Sequence, residues 1–489
     1  MSAPTSEQLR CLFDPRGVVV VGASTHPGKF GFVALHNLLA NGFAGTVAAT
    51  NRDGGEILGV GAHTSLADLE PGSLDLAFVC TPASANVEVV GQLARLGVGA
   101  AFIASAGYGE AGPEGLAAQA ELVAAAEEAG VLIVGPNGQG VVSTPSSLCA
   151  QIVAPYPPAG RIGIVSQSGN LVSSFMNYAC ASGVGVSRAV SVGNAAVLGV
   201  PDVLEYLADD PHTDVALAYV EGIGDGRAFF DRLRAVCERL PVVIVKGGAT
   251  DGGRRAAASH TGSLATDDRV FDGMCRQAGA VRAATIEEAF DTAAAFATQP
   301  LPPGGRVAVM TTVGGWGVMT ADAMAASRLE LAHLPADLEG ALDELLPPRW
   351  SRNNPIDLAG GETKDTIPAV LDLLAAHTGI DAVLVLGLGI QANQGRMERE
   401  GPFYPDWGLE RIVDFHERQD RRYAAAAAAC AAASAKPFLV ATELAVADPD
   451  NPAVAGVRDA GGYCFPSSQR AVRALDHLWT YARWRHRRS

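Results

Sequence analysis

Two stretches of twenty residues, "RIGIVSQSGNLVSSFMNYAC" (161–180) and "RVAVMTTVGGWGVMTADAMA" (306–325), align without a gap. Each reads as an apolar strand, a turn of small or polar residues, and a helix. Gly169 falls opposite Gly314. Two further pairs follow in the same order: "DVALAYVEGI" (214–223) with "DAVLVLGLGI" (381–390), and "LPVVIVK" (240–246) with "KPFLVAT" (436–442). Buried parallel strands look alike by composition alone. Three matches in one order, held in register through a turn and a helix, point instead to a duplicated α/β unit.

A third unit of the same kind precedes them. In "RGVVVVGASTHPGKFGFVALHNLLANGF" a β-branched strand runs into Gly22-Ala-Ser, and a helix starts near residues 28–31. Strands are expected again at "TVAATN", "LDLAFVCTP", "AAFIAS" and "VLIVGPN", with helices between them. Such alternation makes parallel, doubly wound sheets, although the order of strands is not readable from it. Proline-rich joints at "APYPPAG" (154–160) and "QPLPPGG" (299–305) divide the chain, so domains are expected at 1–153, 160–299 and 304–489.

The charge balance excludes some partners. Thirty-six basic residues against 52 acidic give a net charge of −16, which argues against nucleic acid and anionic membranes. An anionic ligand must therefore be held by local backbone dipoles. The 8 cysteines are scattered without metal-ligand spacing, as expected of reduced thiols in a cytoplasmic protein, and no metal site is expected. Neither a signal-peptide pattern nor an apolar run of about 18 residues is present, so no membrane role is expected.

The two copies differ where chemistry is expected. Glu221 ends a strand in the first copy where the second has Leu388. Only the first copy is followed by "RRAAASHTGSLATDD" (254–268), which sets His260 among Ala, Ser, Gly and Thr. Neutral imidazole is a competent nucleophile near neutral pH, and a strand-end carboxylate such as Glu221 can hold one ring nitrogen while the other attacks. "SQSGN" supplies Ser166, Ser168, Gly169 and Asn170 at a helix start, where unpaired N–H groups favour an anion. "VGGWG" supplies a second such turn at Gly314 and Gly315. A P-loop is excluded at "GASTHPGK", which has five residues between its glycines and Phe30 after Lys29. The dinucleotide fingerprint G-x-G-x-x-G is absent too, which argues against a dehydrogenase.

These residues resemble a known family. "VVVVGAS", "GKFG", "CTPA", "GPN", "SQSGN", "VEGI", "VVIVKGG", "SHTG", "GGWG" and "NPIDL" occur in the order found in α subunits of NDP-forming (ADP-forming) acyl-CoA synthetases, of the succinyl-CoA synthetase superfamily. The resemblance covers nearly the whole chain. It implies an N-terminal Rossmann-like CoA-binding domain followed by two flavodoxin-like domains of the succinyl-CoA synthetase type. It implies an acid–thiol ligase that interconverts acyl-CoA, phosphate and ADP with carboxylic acid, CoA and ATP, through acyl phosphate and phosphohistidine. His260 is then the phosphorylated residue on a swinging loop and Glu221 the glutamate that orients it. Ser166, Ser168, Gly169, Asn170, Gly314 and Gly315 face phosphate, and Gly22, Ser24, Lys29, Thr81, Pro82 and Asn137 hold coenzyme A.

The resemblance also implies a partner. Three units use up these residues, so ADP or ATP with Mg2+ is expected on a separate ATP-grasp β chain, in a homodimer or an α2β2 assembly. Three departures from the family pattern stand out: Gly138 where Cys is usual after "GPN", Trp316 where Pro is usual, and an elaboration at 391–423, in which His416 is expected on a solvated helix face. The rival expectation is a non-catalytic binder of CoA or acyl-CoA that keeps the fold. Retention of both His260 and Glu221 counts against it.

Overall fold

"GVVVV" makes the strand Gly17–Val21, buried along its whole length as an interior strand of a parallel sheet must be. Its sheet runs in the order Gly55–Ile57, Val60–His63, Thr46–Thr50, Gly17–Val21, Leu76–Val79, Ala100–Ile103, Leu132–Val134. Only the edge pair Gly55–Ile57 and Val60–His63 is antiparallel. This is the Rossmann order, and it reverses between Gly17–Val21 and Leu76–Val79. The loops leaving those two strands therefore flank the crevice where such sheets take ligands. The computed structural model describes residues 3–253, 255, 267–358, 360 and 364–488.

The second sheet runs Val281–Ala283, Val242–Lys246, Val215–Val220, Ala159–Ser166, Val186–Ser191, and then the hairpin Gly140–Ser143 and Leu148–Gln151. The first five strands are parallel, while the hairpin joins antiparallel to Val186–Ser191. In chain order the parallel strands stand 2-1-3-4-5, the flavodoxin-like arrangement. The third sheet, Glu330–Leu331, Arg306–Thr311, Ala382–Leu386, Phe438–Ala441 and Cys464–Phe465, repeats that order, with Ile356–Asp357 added against Arg306–Thr311.

The repeat extends to side-chain hydrogen bonds. The Ser166 hydroxyl accepts from the Ser168 N–H at 3.0 Å and donates to the Ser168 carbonyl at 2.6 Å. The Thr311 hydroxyl does the same with Val313, at 2.9 and 2.8 Å. Each sheet thus turns its first strand into the following helix around one hydroxyl. The first two sheets lie in one compact unit, Met1–Ala181 with Gly185–Ala289, and the third in another, Ser182–Val184 with Phe290–Ser489.

Residues 391–423 depart from expectation. They lie mostly in two packed helices, Ile390–Glu400 and Leu409–Ser434, that meet where Gly395 leaves room for Val413. Their contact face carries polar groups rather than turning them all to solvent. Asp420 is buried and accepts from the Ala392 N–H at 2.7 Å, and burial pushes its pKa up to about 6 against the pull of backbone amides. The His416 Nδ1 is buried without a hydrogen-bond partner among the described residues. A helix pair with too few apolar residues to seal its seam has covered polar ones instead.

His477, on the helix Ser468–His486, makes a testable point in the second unit. It is buried with its Nδ1 2.8 Å from the Thr292 hydroxyl. Burial, then the charges of Arg473 and Arg328, push its pKa down to about 3. An unfolded chain binds that proton near pH 6.5, so the stability His477 contributes is full above that pH and falls progressively towards pH 3. The melting temperature is expected to drop as pH is lowered from 7 to 4, and His477→Gln to lose less over that interval. Parallel pH curves for the two proteins would refute the assignment. No helix among the described residues is long and apolar enough to cross a membrane.

Candidate functional site

The two loops at the switch point of the second sheet follow Ala159–Ser166 and Val215–Val220. The first carries "QSGN" into the helix Gly169–Ser182, and the second carries Glu221. Sequence and topology together therefore set an anion-favouring helix start beside a carboxylate. Glu221 is only 6% exposed, and its Oε2 has no hydrogen-bond partner among the described residues. The Tyr219 phenol is hydrogen-bonded to this carboxylate, and burial, then the charge of Glu221, push the phenol pKa up. A buried carboxylate oxygen without a donor is costly unless something else supplies one.

Gln167 fastens the two loops together. Its Oε1 accepts from the backbone N–H of Glu221 at 2.6 Å and of Gly222 at 3.2 Å, and its Nε2 donates to the Gly222 carbonyl at 3.1 Å. The position of Glu221 is thus tied to the turn that opens the helix. In the other copy Thr312 bonds the carbonyl of Gly387 at 2.8 Å, a shorter version of the same tie. Gln167→Ala removes three hydrogen bonds at about 1 kcal/mol each. It is expected to lower the unfolding free energy of the first unit by about 2 kcal/mol. A denaturant midpoint equal to that of the parent would show that the tie is idle.

Glycines set how close the backbones come. At Gly169 a Cβ would lie 2.3 Å from the Gln139 Cγ, so only glycine lets Gln139 cross the helix start, where it bonds Asn170 and Ser173. At Gly138 a Cβ would lie 2.6 Å from the Phe102 ring and 2.8 Å from the Ser191 carbonyl. The Phe102 ring and the Ser191 carbonyl leave no room at Gly138 for the cysteine that is usual in the family pattern.

A cavity of about 1140 Å³ runs through the first unit. Of the residues singled out from sequence, it is lined by Asn137, Ser168, Gly169, Asn170 and Glu221. Asn137 adopts φ 62°, a left-handed conformation that asparagine tolerates. Ser166 is fully buried and its hydroxyl is engaged by Ser168, so its part is to shape the turn. Gly22, Ser24, Lys29, Thr81 and Pro82 do not line this cavity. Gly22 and Thr81 face each other across the crevice of the first sheet, 3.2 Å separating a Gly22 Cβ position from the Thr81 Cγ2. The Ser24 hydroxyl caps the His26 N–H, Lys29 precedes the helix Phe30–Ala40, and Pro82 leads into the short turn Ala83–Ala85.

Gly314 and Gly315 open the helix Gly314–Ala325 in the other unit, both exposed. A Cβ on Gly314 would lie 2.7 Å from the Asp357 Oδ2, so a carboxylate already stands at that helix start. Trp316 is half-buried on its first turn. His260 lies outside the described residues. The strand that precedes it in the chain, Val242–Lys246, neighbours Val215–Val220, which Glu221 follows, and a Cβ on Gly247 would lie 3.4 Å from the Glu221 Cγ.

Residues 16–144 match the CoA binding domain family, 159–296 the succinyl-CoA ligase like flavodoxin domain, and 307–390 the ligase-CoA domain. The α subunit of acetate–CoA ligase [ADP-forming] I from Pyrococcus furiosus is 33% identical over 98% of both chains. The chain belongs to the ADP-forming acetate–CoA ligase family. Another member, acetate–CoA ligase [ADP-forming] I of Archaeoglobus fulgidus, is 38% identical over 77% of this chain but only 54% of its own length, so this chain spans about half of that relative. Among solved structures, acetyl-coenzyme A synthetase 1 of Ca. Korarchaeum cryptofilum, in complex with phosphate and ADP, superposes with a TM-score of 0.83 at 30% identity over 98% of both chains. As in other members of the ADP-forming ligase family, CoA and nucleotide chemistry are therefore the frame for the geometry above. Gln167 is a site residue that pattern reading did not single out, as are Gln139 and Tyr219. Glutamine carries no spacing signature, and only its place inside "SQSG" marked it.

Proposed function

We propose that this chain is the α-type subunit of an ADP-forming acyl-CoA ligase that passes a phosphoryl group through His260. The observation that carries this reading is the buried Glu221 carboxylate, whose Oε2 lacks a donor among the described residues, beside an anion-favouring helix start. An imidazole N–H would satisfy that oxygen, fix the tautomer and leave the other ring nitrogen to attack. Gly247 lies against Glu221, and the length of chain from there to residue 260 is ample for the ring to reach the carboxylate.

The steps balance as follows. A phosphate oxygen attacks the thioester carbonyl, and CoA leaves as the thiolate and takes up a proton. The imidazole nitrogen then attacks phosphorus in the acyl phosphate, and the carboxylate leaves. Finally a β-phosphate oxygen of ADP attacks phosphorus on the imidazole, which departs neutral. The N–H groups at Gly169 and Asn170 face the phosphoryl oxygens, and Gly314 and Gly315 offer a second helix start. Coenzyme A is held from the first sheet, by Gly22, Ser24, Lys29, Thr81, Pro82 and Asn137. The chain is read as three domains, 1–153, 160–299 and 304–489, of which the first lends its last hairpin to the second sheet.

The nucleotide step needs a site for ADP and Mg2+. We propose that an ATP-grasp β chain supplies it, in a cytoplasmic homodimer or α2β2 assembly. The Pyrococcus relative is named as a subunit, and the Archaeoglobus relative extends well beyond the region matched. Incubating the chain with acyl-CoA and labelled phosphate is expected to give acid-labile, base-stable label on protein, discharged only when ADP, Mg2+ and the partner are added. Absence of label with every acyl-CoA tried would overturn the proposal.

A further inference from the structure

A polar cluster beside the crevice of the first sheet has no part in the chemistry above. Asn86 opens the helix Asn86–Leu96 and is fully buried. Its Nδ2 donates to the Tyr108 hydroxyl at 2.7 Å and to the Ser105 hydroxyl at 2.9 Å, and its Oδ1 accepts from the Thr81 hydroxyl at 2.8 Å. Both polar atoms of the amide are thus paired, as burial requires. The amide faces one way only. Tyr108 gives its single proton to the Ala83 carbonyl at 3.3 Å, so towards Asn86 it accepts. That turns Nδ2 to Tyr108 and leaves Oδ1 for Thr81.

The direction of the last bond decides what Thr81 can recognise. Its proton is held by Asn86, so the hydroxyl offers a ligand lone pairs alone. Ionised phosphate has only acceptor oxygens and gains nothing there, whereas an N–H or O–H gains a partner. The place of Thr81 narrows the choice. On one side it faces the Gly22 turn, and on the other Asn86 and Ser105 join it to the loop whose Ala104, Ala106 and Gly109 line the cavity that Glu221 also lines. The Ser105 carbonyl accepts from the Asn137 N–H at 3.1 Å, which ties that loop to the next strand end. Between a nucleotide at the Gly22 turn and a thioester near Glu221 lies the pantetheine arm, whose donors are a hydroxyl and amide N–H groups.

We propose that Asn86 is a positioning residue for coenzyme A: it takes up the Thr81 proton, so that Thr81 accepts a hydrogen bond from the pantetheine arm instead of donating one to a phosphate. This rests on the assignment of coenzyme A to the first sheet. The test is equilibrium binding, to the full chain, of coenzyme A and of adenosine 3′-phosphate 5′-diphosphate, which is coenzyme A without the arm. Thr81→Val is expected to weaken coenzyme A binding about fivefold and binding of the nucleotide fragment less than about twofold, while Thr81→Ser keeps both.

Asn86→Ala is expected to weaken coenzyme A binding by a similar factor in the parent, and by less than about twofold in the Thr81→Val chain. A merely structural role would add the same loss in both backgrounds, and that result would overturn the proposal. So would a Thr81→Val loss equal for the two ligands, or absent for both, and this comparison stands even where Asn86→Ala does not fold. Either result leaves coenzyme A on the first sheet. A parent chain that binds neither ligand would overturn that assignment and the proposal with it.

Discussion

Replacing His260 by glutamine is expected to abolish acid-labile phosphorylation, by at least about a thousandfold in rate, while coenzyme A still binds. Glutamine keeps a hydrogen-bonding side chain but has no nitrogen lone pair able to accept a phosphoryl group. The two measurements separate the roles of the two ends of the site. Coenzyme A is assigned to the first sheet and to Asn137, which His260 does not touch in this scheme. A variant that still took up acid-labile label would move the carrier to another residue, and a variant that lost coenzyme A affinity as well would point to a collapsed loop.

Glu221→Gln is the second large effect. The carboxylate is proposed to hold one imidazole nitrogen and to stabilise the positive charge that develops as the other attacks. Its loss should slow phosphorylation by about 10²- to 10³-fold. The pH profile gives a readout that packing alone does not move. A neighbouring carboxylate favours the protonated imidazole, so it raises the histidine pKa. With glutamine the imidazole stays neutral to lower pH, and the acid limb of the rate profile moves down while its plateau falls. A rate within threefold of the parent, with an unmoved limb, would sink the pairing of Glu221 with His260.

The parts of this molecule legible in its sequence are those set by backbone periodicity. Strands such as Gly17–Val21 and Val242–Lys246 announce themselves by β-branched runs, and the turn at Gly169 by small residues before a helix. The contrast between Glu221 and Leu388 was visible because the duplication supplied its own reference. Tertiary contacts were not visible. Nothing in "SQSG" says that Gln167 reaches three groups of the neighbouring loop, or that the Ser166 hydroxyl is turned inward on Ser168. The burial of Asp420 was equally hidden, because helix 409–434 reads as charged along most of its first half. Side chains that bond across the fold leave no periodic trace.

The hairpin of residues 140–151 has a consequence for how this chain can be cut. It precedes the proline joint at 154–160, yet its strands complete the second sheet, beyond Val186–Ser191. A fragment ending at the joint would carry off two apolar ribbons stripped of their sheet neighbour, with only the helices Ser6–Phe13 and Phe30–Ala40 left to lie against. The remainder would show the naked flank of Val186–Ser191 to solvent, an open invitation to stack on copies of itself. Excising either piece cleanly, in the laboratory or by recombination, requires a breakpoint nearer residue 138 than residue 154.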